Sequence, residues 1–187
     1  MTPSSTAEGY ELTKMATGLS NKLTSQIGEY LCCAELGRHG LIATTFTGNV
    51  PDFDLLVCDS NLVTEPVQVK TSRSNSWPSK ANFWLNIEID DKNKQQINLG
   101  ERDISNPTLI YICVVLGSDR SGDRFFICQK KDIQTACITS YCRWMDSKDW
   151  KRPRNYRSLD NRYYMDDLLP FENNWKLITD RLQRNAS

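Results

Sequence analysis

The sequence has little of three things that would point directly to a partner: histidine, net charge and long apolar runs. His39 is the single histidine in 187 residues, so a zinc site would need a shell made mostly of thiolates. The 23 basic and 23 acidic residues leave no net charge, and the basic excess that is typical of nucleic-acid-binding domains is missing. Contact with a polyanion would therefore depend on local clusters of charge.

Segments that would cross or enter a membrane are also missing from the sequence pattern. The longest apolar run, Leu109 to Leu116, is too short to span a bilayer. The N-terminal stretch from Met1 to Gly9 is polar and lacks the basic start and apolar centre of a signal peptide. These absences predict a cytoplasmic protein that does not associate with membranes.

The cysteines form no C-x-x-C pair, and their number, seven, is odd. Most of them lie among apolar neighbours, as buried thiols do in proteins of a reducing compartment. We therefore expect free, structural cysteines and no disulfide framework. They are Cys32, Cys33, Cys58, Cys113, Cys128, Cys137 and Cys142.

The length and composition fit one globular domain. Hydrophobic residues make up 39% of the chain and charged residues 25%. Residues 1–18 are predicted to form a flexible arm, and residues 19–187 a single domain with a basic, aromatic extension from about residue 146. Apolar residues at helical spacing predict helices over residues 21–38, 130–145 and 172–184.

Runs of β-branched and alternating apolar residues predict the strands. Between them, irregular structure is expected over residues 72–80 and 90–106, which are polar and charged. The order of elements predicts an α/β fold with a mixed central β-sheet flanked by helices. The predicted strands cover residues 41–47, 53–58, 67–71, 83–89, 108–116 and 125–129.

Polar side chains interrupt two neighbouring strands that are otherwise apolar. Gln68 and Lys70 lie two residues apart, so they project from the same face of one strand, opposite its valines. Asp54 directly precedes the apolar run of the strand before it. Burial of such groups is costly unless they have polar partners, water or a metal ion. We therefore expect a carboxylate, a carboxamide and a lysine to converge at one end of the sheet.

These segments resemble the signature of the PD-(D/E)xK, restriction-endonuclease-like nuclease superfamily. Pro51-Asp52 stands at the mouth of one strand, and Gln68-Val69-Lys70 stands where the family has acid-x-Lys, which makes it a QxK variant. Gly28-Glu29 in the first helix is similar to the resolvase-like branch, in which a helical glutamate precedes the strand aspartate. The resemblance covers residues 21–73 and implies a restriction-endonuclease-like core.

The resemblance also implies an activity, which is Mg²⁺-dependent hydrolysis of DNA phosphodiester bonds, with Mn²⁺ able to substitute. Asp54, the side-chain oxygen of Gln68 and the carbonyl of Val69 would then ligate the metal ion. Glu29 would reach the metal directly or through water. Lys70 would orient the attacking water or stabilise charge on the phosphate. Glutamine in the place of an acid removes one negative charge, which weakens the expected affinity for metal.

Two stretches are candidates for contact with DNA. Thr71-Ser72-Arg73 follows the proposed site, and its hydroxyls and guanidinium suit a phosphate. Residues 148–162 mix basic and aromatic side chains, which suits phosphate contact and base stacking, although a solvated loop whose aromatics pack on the core is the alternative. The basic candidates there are Lys151, Arg152, Arg154 and Arg157. The tryptophans Trp77 and Trp84 are expected in the core or at its rim.

Each candidate residue also has an ordinary structural interpretation. Glu29 lies off the apolar stripe of its helix and suits a solvated position. Glu35 in the same helix is the alternative candidate for the helical acid of the site. Asp54 suits a turn residue that bonds its own backbone, and Lys70 suits a strand end from which its ammonium reaches water. Asp52 directly follows Pro51, as the aspartate of the Pro-Asp motif does, and is therefore the alternative to Asp54. Two alternatives to the nuclease therefore stay open. One is a non-catalytic nucleic-acid- or protein-binding module of the same fold, and the other is an unrelated enzyme with an Asp54–Lys70 ion pair. A homodimer is also compatible with the nuclease interpretation.

Overall fold

A computed structural model of the chain describes residues 17–46, 48, 52–118 and 122–185. Most of the predicted N-terminal arm lies outside the described residues, and the first helix begins before the predicted start. In chain order the elements are α1 (Thr17–Arg38), β1 (Ile42–Thr45), β2 (Leu55–Cys58), β3 (Thr64–Ser72), β4 (Ser76–Lys80), β5 (Leu85–Asp90), β6 (Gln95–Glu101), β7 (Ile110–Val115), β8 (Arg124–Gln129), α2 (Lys130–Asp146), β9 (Asp160–Tyr164) and α3 (Lys176–Asn185).

A mixed sheet of five strands forms the centre of the fold, in the order β1-β2-β3-β7-β8. The strands β1, β2 and β3 are antiparallel neighbours, β3 and β7 run parallel, and β7 and β8 are again antiparallel. All residues of β7 are buried, as expected for a central strand covered on both faces. The predicted α/β class, with a mixed central sheet flanked by helices, is confirmed.

Helices cover both faces of the central sheet. On one face, Val67 and Val69 of β3 pack with Leu36 of α1 and Ile178 of α3. On the other face, Ile133 of α2 packs among side chains of β7 and β8. Successive side chains of a strand point to opposite faces, so Gln68 and Lys70 lie on the α2 side of β3.

Two antiparallel ribbons, β4–β9 and β5–β6, stand beside the central sheet, and here the sequence prediction is wrong. Irregular structure is predicted for residues 72–80 and 90–106, which contain β4 and β6. Their sequences, SWPSK and QQINLGE, are mostly polar, and their hydrogen-bond partners are β9 and β5. A local hydrophobic pattern does not indicate strands of this kind.

The predicted strand over residues 83–89 begins two residues later, at Leu85. A short 3₁₀ helix, Ala81–Phe83, precedes it and turns the Phe83 side chain outward, so that it is 57% exposed. The tryptophans Trp77 and Trp84 are buried, as expected. The seven cysteines are free. Within the described ranges, no helix combines the length and the apolar character needed to cross a bilayer.

Candidate active site

The carboxylate of Asp54 lies directly against β3. Its Oδ2 accepts hydrogen bonds from the backbone N–H of Val69, at 2.8 Å, and from the side-chain amide of Gln68. The backbone N–H of Asp54 donates to the carbonyl of Val67 at 2.9 Å. Asp54 is therefore bonded to the neighbouring strand and not to its own turn. Gln68 is only 8% exposed, so this contact supplies a partner for an amide that would otherwise be buried without one.

Lys70 lies two residues further along β3 and is exposed. Nε1 of Trp77 donates to the backbone carbonyl of Lys70 at 3.0 Å. Trp77 also stacks on Tyr163, with ring centroids 5.3 Å apart, so this part of β3 is fixed against the β4–β9 ribbon. Among the described residues, Lys70 forms no ion pair, so a structural Asp54–Lys70 pair is not observed.

Glu29 approaches this group from α1. Partial burial and the nearby charge of Asp54 raise the pKa of Glu29, while the ammonium of Lys70 acts in the opposite direction. The three charged groups are therefore close enough to influence one another's protonation. The rival acid of this helix, Glu35, is engaged elsewhere, because it pairs with Arg38 at 2.6 Å.

A close contact between α1 and β3 brings Glu29 to this position. A Cβ atom on Gly28 would lie 1.8 Å from Oγ1 of Thr71 and 2.8 Å from its Cβ. Glycine is therefore needed where the helix crosses the strand. Oγ1 of Thr71 is buried in this contact and has no hydrogen-bond partner in the described part of the chain.

The residues after Lys70 have contacts within the fold. Thr71 lies under α1, because the alternation of the strand turns it away from Gln68 and Lys70. Ser72 donates from Oγ to the carbonyl of Ser76 at 2.7 Å. Nε of Arg73 donates to Oγ1 of Thr24 at 2.9 Å. That Thr71, Ser72 and Arg73 hold a phosphate stays a prediction, and of the three only Arg73 is exposed.

The basic segment at 148–162 is also used partly to build the fold. The guanidinium of Arg152 lies 4.7 Å from the ring centroid of Trp144, and Arg157 pairs with Asp91 at 2.7 Å. Lys151 and Arg154 are exposed and form no ion pair among the described residues. Four residues of this segment are predicted to contact phosphates, and Lys151 and Arg154 are the two that the fold leaves without an ion pair or a ring contact among the described residues.

Tyr111 is a candidate site residue that the sequence pattern does not single out. It lies beside Gln68 in the parallel register of β3 and β7. Burial, with smaller contributions from Cys113 and Asp54, raises the pKa of Tyr111 to about 12. Its phenol therefore stays protonated at neutral pH and is able to donate a hydrogen bond. In the sequence, the feature that could have indicated Tyr111 is its polar hydroxyl within the otherwise apolar run of a central strand.

Asp54, and not Asp52, contacts the amide of Gln68. Asp52 is exposed, has a φ of +74°, and lines a cavity of about 410 Å³ together with Glu65 and Arg181. Pro51, the other half of the written motif, lies outside the described residues. The geometry favours Asp54 as the aspartate of the candidate site.

The donors at this site suit a magnesium ion. Asp54, Glu29, the amide oxygen of Gln68 and the carbonyl of Val69 are oxygen donors, and Mg²⁺ binds one or two carboxylates while it keeps several waters. The Gln68 nitrogen donates to Asp54 and, at 3.5 Å, to the carbonyl of Val69, so a metal bound by these two groups would require the amide of Gln68 to turn its oxygen towards them. No group of three or more His, Cys, Asp or Glu side chains suited to a metal occurs in the described ranges. A metal would therefore depend on few carboxylates.

Comparisons with known proteins give a similarity at the level of the fold. No protein-family model and no curated protein sequence matches the chain. Among solved structures, the chain is similar to a bacterial homing endonuclease, I-Ssp6803I, at 12% sequence identity and a TM-score of 0.49. The match covers 89% of this chain and 96% of the homing endonuclease. At this identity and TM-score the similarity carries no argument about the activity of this chain or about its individual residues.

Proposed function

We propose that the chain is a Mg²⁺-dependent DNA endonuclease of the PD-(D/E)xK type. The observation that carries the proposal is the contact of Asp54 with Gln68 and Val69 on β3. Beside this contact lies a lysine that forms no ion pair in the described part of the chain, and a glutamate with a raised pKa. Carboxylates and an amide provide oxygen ligands for a metal, and an ammonium stabilises the charge that develops on a phosphate, so this set of groups is compatible with metal-assisted phosphodiester hydrolysis.

The roles follow from the chemistry of each group. Asp54, Gln68 and the carbonyl of Val69 would hold the metal, and Glu29 would reach it directly or through water. A bound Mg²⁺ or Mn²⁺ supplies a water of lowered pKa and neutralises phosphate oxygens. Lys70 orients that water or stabilises the charge that develops on the phosphate. Where Glu29 reaches the metal only through water, its raised pKa would let it accept a proton from that water more readily.

DNA is the proposed partner, and its binding depends on local charge because the chain is neutral overall. Lys70 lies at the site, and Lys151 and Arg154 are exposed on the segment that follows α2. Their ammonium and guanidinium groups suit phosphate oxygens and carry no sequence preference.

A non-catalytic DNA-binding member of the same fold is the second candidate, and a specific observation favours it. The amide of Gln68 donates to Asp54, so the charge of this carboxylate is partly balanced without any metal. An acid in the place of Gln68 would instead repel Asp54 until a metal is bound.

A cleavage assay with matched aspartate variants separates the two candidates. Wild-type protein and Asp52→Ala are expected to nick supercoiled DNA with Mg²⁺ or Mn²⁺. Asp54→Ala and Lys70→Ala are expected to lose about 100-fold or more of the rate while they keep the fold. A wild-type protein that binds DNA and cuts none with either metal would reject the nuclease and favour the second candidate.

A further inference from the structure

A cavity of about 710 Å³ opens beside Lys70, on the α2 side of the central sheet. Lys70 and Tyr111 form part of its wall, and Phe83 is another part, so we name it the Phe83 cavity. Its volume lies within the range of about 300–1,000 Å³ that small-molecule sites occupy. The cavity is therefore large enough for a single nucleotide, and it shares Lys70 and Tyr111 with the candidate active site.

An aromatic ring stands exposed in this wall on a well-fixed turn. The side chain of Phe83 is 57% exposed, whereas its neighbours Ala81 and Trp84 are 1% and 8% exposed. The N–H of Ala81 donates to the carbonyl of Leu159 at 2.8 Å, and Nε1 of Trp84 donates to Oγ of Ser79 at 2.7 Å. Phe83 thus presents an open ring face without depending on that face for packing.

The charge of the cavity wall is positive. Its charged lining residues are three cations, Lys70, Arg102 and Lys130, and one carboxylate, Asp103. Arg102 and Lys130 form no ion pair among the described residues, and each donates to a backbone carbonyl at 2.8 Å, which holds it in place. In a chain without net charge, this local excess favours an anionic ligand.

We propose that the Phe83 cavity receives one unpaired nucleotide of the DNA, so that the preferred substrate carries an unpaired base next to the bond that is cut. Phe83 stacks on the base, and Arg102 and Lys130 contact the adjoining phosphates. A paired base offers only its edges to a protein, whereas an unpaired or extruded base exposes the ring face that an aromatic side chain needs. This inference rests on the proposed nuclease function, because Lys70 links the cavity to the cleaved phosphate.

Binding without catalysis tests the inference separately from the proposed function. Fluorescence anisotropy in EDTA compares three labelled hairpins: a perfect duplex, the same duplex with one bulged base, and one with a bulged abasic site. Wild-type protein is expected to bind the bulged base roughly tenfold more tightly than the other two, which is the size of one stacking contact. Phe83→Ala should remove this preference, while Phe83→Trp should keep it.

The matched controls are exposed residues outside the cavity wall. Leu99→Ala, at a side chain that is 59% exposed, should keep the preference for the bulge. Arg102→Gln and Lys130→Gln should weaken binding of all three hairpins, and Lys92→Gln should not. Equal affinity for the perfect and bulged duplexes, or an unchanged preference in Phe83→Ala, overturns the inference, and so does the absence of any DNA binding.

Cleavage of the same hairpins in Mg²⁺ keeps the two proposals apart. Preferred binding of the bulged base without cleavage supports the cavity assignment and rejects the nuclease. Equal binding and equal cleavage of all three hairpins rejects the cavity assignment and leaves the nuclease intact.

Discussion

Gln68 shows how one residue sets the charge of the candidate site. Its amide lets it lie against Asp54 through a hydrogen bond, at a buried position where two carboxylates would repel each other. Because Gln68 stands where the PD-(D/E)xK signature has an acid, the proposed metal ligands carry one negative charge fewer. A neutral amide here therefore avoids repulsion with Asp54 in the protein without metal, and under the proposed function it would lower the affinity for Mg²⁺.

Gln68→Glu is expected to tighten Mg²⁺ binding roughly tenfold, because Mg²⁺ prefers carboxylate ligands. Without metal, repulsion from Asp54 should lower the melting temperature by about 2–4 °C, which corresponds to about 1 kcal/mol for a domain of this size. Saturating Mg²⁺ should abolish that difference. Titration calorimetry and thermal melts with and without Mg²⁺ measure both effects, and an unchanged or weaker Mg²⁺ affinity contradicts the assignment of Gln68 as a ligand.

The protonation of Glu29 reports on its neighbours. Its pKa is raised from the usual value of 4.5 by burial and Asp54, and Lys70 opposes the rise. Asp54→Asn should therefore lower the pKa of Glu29, and Lys70→Met should raise it further. Because the folded-state pKa is the higher one, Glu29 contributes stability at acidic pH that is lost as pH rises through that pKa.

Carboxyl NMR titration of Glu29 in the three proteins measures these shifts. Glu65 is the internal control, because burial raises its pKa and its opposing neighbours are Arg181, Asn185 and Arg184. Its titration should be the same in all three proteins. A Glu29 pKa that ignores both substitutions would separate Glu29 from the proposed site.

At the scale of elements, the crossing of α1 over β3 positions the site. Gly28→Ala should destabilise the fold by about 1–3 kcal/mol, because the new methyl group collides with the side chain of Thr71. Gly37→Ala in the same helix is the matched control, since a Cβ there meets nothing within 4 Å, and it should stabilise by up to about 1 kcal/mol. Urea denaturation measures both, and equal effects would contradict the close crossing.

The segment between α2 and β9 makes a different prediction. Replacement of both Lys151 and Arg154 by Ala should reduce the salt slope of duplex binding by roughly 0.9 for each lost phosphate contact. Arg157→Ala should change the slope less, because Arg157 pairs with Asp91. Arg152 is left intact, because it packs over Trp144. Parallel slopes for wild type and the double variant would show that this segment does not contact DNA.

At the scale of the whole molecule, the central sheet could be predicted from sequence and the ribbons could not. The apolar residues of β2, β3 and β7 are buried on the sheet and carry a clear signal. The spacing of Gln68 and Lys70 on β3 fixes their common face. The polar strands β4, β6 and β9 owe their structure to pairing partners, which no local pattern indicates. Because β4 and the turn before β5 line the Phe83 cavity, the sequence pattern does not indicate that cavity. For Tyr111 the sequence signal is limited to a polar aromatic residue within an apolar strand.

The sequence predicts that the strands carrying Asp54 and Gln68 bring the two residues to the same end of the sheet, but it does not predict the contact between them. The sequence places Asp54 at the start of one strand and Gln68 within the next strand along the chain. The hydrogen bond from the backbone N–H of Val69 to Asp54 and the approach of Glu29 depend on packing, which the sequence pattern does not indicate. The same packing turns Thr71 under α1 and gives Arg73 a partner in Thr24, and neither contact is indicated by the sequence.

A crystal structure of the protein soaked with Mn²⁺ tests the central claim most directly. Mn²⁺ takes the same oxygen ligands as Mg²⁺, and its anomalous scattering locates the ion without ambiguity. The account predicts one strong anomalous peak bound by the carboxylate of Asp54, the side-chain oxygen of Gln68 and the carbonyl of Val69, which disappears in Asp54→Asn and persists in Asp52→Asn. An Mn²⁺-soaked crystal without a peak at Asp54, or with a peak that survives Asp54→Asn, would contradict it.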